Sequence, residues 1–196
     1  MNPPVLYLIT KGECTPSNFT STGPQVLETV RSAVAAEISM VQVREKNLTG
    51  KQLFKLSSDA AAITRGTATR LFINDRVDIA RAAGADGVQL TELSLRPSVV
   101  KKSAPDLLVG SSVHSLDGAK AVCTDGADFV VFGPVFATPE KPEAQGLDAL
   151  RNVSEAVSIP VIAIGGIDET NFDEVIAAGA SGVAAIRWLN ERVRAK

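Results

Sequence analysis

Ile159-Pro-Val-Ile-Ala-Ile-Gly-Gly-Ile167, read together with Gly182-Val-Ala-Ala-Ile-Arg187, decides the fold. Each is a short apolar run of the kind that fills a buried parallel strand, and a helical pattern lies between them. The first run stops at Gly165-Gly166, where backbone N–H groups without Cβ interference can close on an anion. Consecutive strands with such a glycine-rich end, late in an α/β chain, predict the phosphate cradle after strands 7 and 8 of a (β/α)8 barrel.

Working outward, apolar β-branched runs recur with helical patterns between them, as parallel βα units require. The spacing predicts strands at Val5–Thr10, Met40–Arg44, Leu71–Asn74, Gly87–Leu90, Leu107–Ser111, Phe129–Phe132, Val161–Ile164 and Val183–Ile186. Helices are predicted at Pro24–Ala36, Gly50–Thr64, Asp78–Ala83, Arg96–Ser103, Leu116–Thr124, Leu147–Val157 and Asn171–Ala178, with a short one from Trp188. Three joints repeat one device, at Ala83-Gly-Ala-Asp-Gly87, Asp125-Gly-Ala-Asp128 and Ala178-Gly-Ala-Ser-Gly182. Each supplies a glycine C-cap before an apolar strand resumes.

Eight units fit a closed TIM barrel in one domain, residues 1–196, better than an open sheet. The usual barrel takes about 250 residues, so short loops and short outer helices are expected. An open Rossmann-like sheet is the alternative, but no G-x-G-x-x-G follows the first strand. No linker or low-complexity segment divides the chain.

The composition is that of an ordinary globular enzyme, with 45% hydrophobic and 21% charged residues and a net charge of −2. No Lys/Arg run advertises a nucleic-acid surface, and no apolar stretch approaches the ~18 residues of a membrane span. Met1–Thr10 lacks a basic n-region and reads as a first strand rather than a signal peptide. Two cysteines, Cys14 and Cys123, stand far apart, which argues against a zinc site or disulfide framework and for a cytoplasmic setting. Cys123 reads as a small buried apolar residue.

In such barrels chemistry sits at the C-terminal ends of the strands. The second strand ends Val41-Gln-Val-Arg-Glu-Lys46, and a period of two puts Gln42, Arg44 and Lys46 on one face, with Val41 and Val43 on the other. Two cations and an amide aimed at a barrel mouth suit an anion; the plainer alternative is a strand end emerging into solvent. The third strand ends in Asn74-Asp75, which either caps the next helix or offers an anion donor and a carboxylate for a hard cation such as magnesium. Beyond the fifth strand, His114 is the chain's single histidine, beside the hydroxyls of Ser112 and Ser115. It is either a packed residue or a proton-transfer group, and Ser115 reads as a helix N-cap. The longest loop, Gly133 to Gly146, carries Thr138 and Lys141 and is either a mobile polar segment or a lid that meets an anion.

Together, Leu6–Thr10, Val41–Lys46, Phe72–Ala80, Ala85–Val88, Asp128–Phe136 and Ile159–Ile167 resemble the thiamine phosphate synthase / TenI superfamily from Tyr7 to about Ile186. The resemblance implies a TIM barrel, usually a homodimer, acting on thiazole phosphate in thiamine biosynthesis. Synthases of this family couple a pyrimidine diphosphate to thiazole phosphate with magnesium. By motif, Gln42, Arg44, Lys46, Asn74 and Lys141 match diphosphate contacts. Asp75 matches a magnesium ligand, Thr138 the first threonine of the loop motif, and Gly165-Gly166 the thiazole-phosphate cradle.

Two positions depart from the synthase pattern. Ser94 stands where synthases carry a second metal aspartate, with Glu92 two residues earlier, and Glu140 stands where a hydroxyl would meet phosphate. Those departures, with Gln89-Leu90 and Ser112–Ser115, resemble the TenI-type tautomerases. That branch aromatises carboxythiazole phosphate without a metal, the histidine matching His114 acting as acid and base. The expectation is therefore a tautomerase, with the synthase as the alternative and a non-catalytic regulator as the third reading. An acidic pI without a basic cluster speaks against DNA as a partner.

Overall fold

The computed structural model describes residues 3–139 and 143–194, and eight strands in it close into one parallel barrel in sequence order. The strands are β1 (Val5–Ile9), β2 (Met40–Val43), β3 (Arg70–Asn74), β4 (Gly87–Leu90), β5 (Leu108–Val113), β6 (Phe129–Phe132), β7 (Val161–Ile164) and β8 (Gly182–Ala185). The helices are α1 (Phe19–Ala35), α2 (Gly50–Thr64), α3 (Val77–Ala83), α4 (Pro97–Ser103), α5 (Leu116–Thr124), α6 (Gly146–Ala156), α7 (Phe172–Ala177) and α8 (Arg187–Arg194). Closure is made where β1 pairs with β8, Val5 opposite Gly182 and Leu8 opposite Ala185. The open-sheet alternative is thereby excluded.

Strand alternation sorts the core into layers. Val41, Val43, Leu71 and Ile73 face outward onto α1 and α2, while Val130, Val161, Ala163 and Val183 face outward under the later helices. The inward set is Tyr7, Ile9, Met40, Phe72, Phe129, Val131, Ile162 and Ala184. Tyr7, Phe72 and Phe129 pack edge-to-face in a triangle, with centroids 5.6, 6.1 and 5.4 Å apart. Such ring pairs add roughly 0.5–1.5 kcal/mol each beyond their buried area. This triangle plugs the barrel and leaves the ends of β2 to β7 to build a mouth above it.

The repeated joints do what their glycines predict. Gly84, Gly126 and Gly179 have φ of 72°, 95° and 98°, values that a Cβ penalises. Their aspartates have a second task. The Asp86 carboxylate accepts from Leu71 N (2.7 Å), and that of Asp128 from Val109 N (2.6 Å), each tying its own strand to the preceding one. At the third joint the Ser181 carbonyl accepts from Val5 N (3.0 Å).

Two predicted boundaries move by more than one residue. Helix α1 begins five residues earlier than predicted, at Phe19, and Pro24 lies inside it. Proline favours the first helical position, but Ser21 N and Thr22 N already close onto the Asn18 carbonyl. Strand β5 runs on to Val113 and takes in Ser112. Cys123 also departs from expectation: it is half-buried, whereas Cys14 is buried. Among the described residues no helix is long and apolar enough to cross a membrane.

Candidate active site

Strand alternation carries Gln42 inward, as predicted, and buries it beneath the mouth. Its Nε2 donates to Tyr7 Oη at 3.1 Å. Arg44 follows on the same face, half-buried, its backbone N–H held by Thr10 Oγ1 (2.9 Å). Lys46 is exposed one step further out. Between them Glu45 points the other way and is buried. Its carboxylate accepts from Gly12 N (3.2 Å) and Cys14 N (2.8 Å), which pins the β1–α1 loop beside Arg44. The sequence reading missed this brace, because nothing local marks Glu45 as buried.

At the end of β3, Asn74 is half-buried and Asp75 exposed, and neither side chain caps α3. The cap position is Arg76, so the capping alternative is excluded. Asp75 has φ 63°, an unusual backbone for a non-glycine residue. Its N–H donates to the Gln89 carbonyl (2.9 Å), which turns the carboxylate toward the mouth. Ser94 reaches across from the β4–α4 loop and donates its hydroxyl to Asp75 Oδ1. Ser94 Oγ in turn accepts from Thr91 N (2.8 Å) and lies 3.0 Å from Thr91 Oγ1. Oxygen donors therefore meet around one carboxylate. Among the described residues no group of three or more His, Cys, Asp or Glu could hold a metal.

Across the mouth the walls are backbone. Gly165 and Gly166 have φ of 102° and 63°. A Cβ on Gly165 would lie 2.4 Å from Pro134 Cβ, and one on Gly166 2.7 Å from Phe136 Cβ. The Gly165 carbonyl accepts from Phe136 N (3.0 Å) and the Gly166 carbonyl from Asn171 Nδ2 (2.9 Å). These two glycines are thus locked against the β6 loop. Ser112, at the end of β5, accepts from Gln89 Nε2 (3.0 Å).

His114 is half-buried just beyond β5, and its Nδ1 meets the Gly133 carbonyl. A carbonyl only accepts, so Nδ1 carries the proton and Nε2 is the basic nitrogen of the neutral ring. Ser115 caps α5, accepting from Gly118 N (3.1 Å), as predicted. Thr138 is half-buried in the β6 loop, and Arg187 is exposed at the start of α8. Glu140 and Lys141 lie outside the described residues.

A closed (β/α)8 barrel with polar side chains on one side of its mouth and a glycine pair on the other is a TIM barrel with its candidate site at the C-terminal ends of the strands. A family model described as thiamine monophosphate synthase matches residues 6–189. The chain belongs to that family. A thiamine-phosphate synthase from Caldanaerobacter subterraneus is 40% identical over 168 residues, spanning 84% of this chain and 78% of that one. One from Pyrococcus furiosus is 38% identical over 183 residues, spanning 92% and 84%. The solved structure of a thiamine phosphate pyrophosphorylase from P. furiosus superposes with a TM-score of 0.83 at 34% identity, covering 96% of this chain and 91% of that one. These relatives are named for the coupling reaction rather than for tautomerisation.

Proposed function

We propose that this chain is a thiamine-phosphate synthase, joining a pyrimidine diphosphate to a phosphorylated thiazole and releasing diphosphate. The carrying observation is the division of the mouth, with Gln42, Arg44, Asn74 and Asp75 on one side and the Gly165-Gly166 pair on the other. Two anionic groups on two substrates need two such subsites. The names of the relatives support the coupling reading over the tautomerase expected from Ser94 and Glu140.

In this reading Arg44 and Lys46 neutralise the departing diphosphate, with Thr138 joining them from the β6 loop. Gly165 and Gly166 seat the thiazole phosphate without side-chain interference. Magnesium commonly binds through one or two carboxylates, with substrate phosphates completing its shell. Asp75 with the hydroxyls of Ser94 and Thr91 suits that arrangement, and the ion would supply charge neutralisation on the leaving group. His114, whose Nδ1 is held by the Gly133 carbonyl so that Nε2 is the basic nitrogen, is the group that favours the tautomerase as a second reading.

Purified protein supplied with pyrimidine diphosphate, phosphorylated carboxythiazole and magnesium should form thiamine phosphate. Without product, the coupling reading fails. Aromatisation of the non-aromatic thiazole tautomer, followed with wild type and His114→Ala, decides the second reading. A rate that falls ~10²-fold or more in the variant supports tautomerisation, whereas an unchanged rate removes His114 from it.

A further inference from the structure

Beneath the mouth a buried polar chain crosses an interior otherwise filled by Ile9, Met40, Phe72, Phe129, Val131 and Ile162. Gln42 Nε2 donates to Tyr7 Oη (3.1 Å), Tyr7 Oη donates to Gln89 Oε1 (3.3 Å), and Gln89 Nε2 donates to Ser112 Oγ (3.0 Å). Tyr7, Gln42 and Gln89 are all buried, where an unpaired amide or hydroxyl would be costly. The links join four strands, β2, β1, β4 and β5, and three of the four residues belong to none of the apolar clusters.

An acceptor-only group fixes the direction of this chain. Gln89 Nε2 also lies 3.5 Å from the Leu90 carbonyl, a weak contact that only a donor can make. The amide nitrogen therefore faces Leu90 and Ser112, and the amide oxygen faces Tyr7. That oxygen only accepts, so the phenol donates to it, and Gln42 must then present its NH2 to the phenol. Burial raises the Tyr7 pKa, so the phenol keeps the proton that it donates. Room for the Gln89 amide comes from Gly110, whose Cβ would lie 2.4 Å from Gln89 Oε1.

Two consequences reach the mouth. Gln42 has committed one of its two N–H groups to the phenol, which fixes the orientation of its amide. Ser112 has committed one lone pair to Gln89, which fixes the place of its hydroxyl and leaves an O–H and a second lone pair for a ligand. We propose that Tyr7, through Gln42 and Gln89, is a positioning residue that fixes the orientation of the Gln42 amide on β2 and of the Ser112 hydroxyl on β5 at the mouth. This rests on the coupling reading above, in which the pyrimidine diphosphate lies on the Gln42 side of the mouth.

Tyr7→Phe removes the hydroxyl and keeps the ring that packs on Phe72 and Phe129. The first measurement needs no substrate. Side-chain amide protons of Gln42 should exchange with solvent roughly tenfold faster or more in Tyr7→Phe, while strand backbone amides keep their protection. Unchanged Gln42 exchange overturns the chain whatever the enzyme catalyses. With substrates, Tyr7→Phe should cut kcat/KM for the pyrimidine diphosphate about tenfold and leave the KM of the phosphorylated thiazole unchanged. In a Ser112→Ala background the same change should cost less than about twofold, because the partners act as one unit. Penalties that multiply in full overturn the relay. Gln89→Glu, which keeps the shape but turns an acceptor toward Ser112, should reproduce the loss and serves if Tyr7→Phe does not fold. If wild type forms no thiamine phosphate, the coupling reading falls, and the exchange measurement alone decides the role of Tyr7.

Discussion

The two sides of the barrel mouth are built from different material. On the β2–β4 side the surface comes from side chains: Gln42, Arg44, Asn74, Asp75 and the Ser94 hydroxyl. On the β6–β7 side it comes from backbone, with Gly165 and Gly166 pressed against Pro134 and Phe136. Side chains can be exchanged one at a time while the strands beneath them stay in place. A backbone wall cannot, because any Cβ added there collides with the fold itself. Of the two departures from the synthase pattern, Ser94 lies on the exchangeable side, and the glycine wall is intact. The reaction is tuned where tuning is cheap.

The sharpest way to break this comparison is Gly165→Ala. Its Cβ would meet Pro134 at 2.4 Å with φ at 102°. Strain and overpacking should together remove on the order of 2–4 kcal/mol of stability. Calorimetric titration should show at least a ~10²-fold loss of phosphorylated-thiazole affinity, of the size expected when several donors are misplaced. An alanine tolerated at full affinity would show that the wall is as pliable as the side-chain half.

On the other side a substitution should add function rather than remove it. Ser94→Asp places a second carboxylate beside Asp75, in a loop already tied down by Thr91. Electron paramagnetic resonance of free Mn2+ during titration should report roughly tenfold tighter binding to the substrate-free protein, since site affinity follows ligand charge. Equal binding by both forms would mean that the cation is held by substrate phosphates alone.

The smallest effect concerns the outer helices of the two halves, linked where Arg96, just before α4, pairs with Asp125 at the end of α5. The Arg96 hydrogen bond, with help from Ser98 N (3.2 Å), lowers the Asp125 pKa below its ordinary value of 3.8. A carboxylate depressed in the folded state stabilises it above the unfolded pKa and loses that contribution as pH falls through the folded value. Asp125→Asn should therefore melt slightly lower than wild type at neutral pH, and the gap should close below the carboxylate range. A gap that persists at low pH would assign the effect to packing instead of charge.

The fold was legible because apolar runs and glycine joints are local. Strands β4, β6 and β7 and helices α2 and α5 fall at their predicted residues. Helix α2 owes its clean start to a Thr49–Gln52 capping box, a signal that spans only four residues. Helix α1 was misplaced because Pro24 looks like a start and is an interior residue. The inward face Gln42–Arg44 followed from alternation, and Asp75 from its position at a strand end. The Glu45 brace, the Tyr7–Gln89 link and the Ser94–Asp75 bond were not legible. Their partners lie 33, 82 and 19 residues apart, and no periodicity carries information over such distances. The aspartates of the repeated joints were seen only as punctuation, although Asp86 and Asp128 also hold strand amides.

The aromatic triangle of Tyr7, Phe72 and Phe129 also acts as a depth stop. A ring entering from the mouth can descend only until it meets this plug, so the triangle sets how long an inward-pointing substituent can be. The walls choose a ligand by charge and hydrogen-bond pattern; the floor chooses it by length. Shortening Phe129 would deepen the well on the side away from the Gln42 amide, which makes it the place to start if the barrel is to accept a bulkier ring.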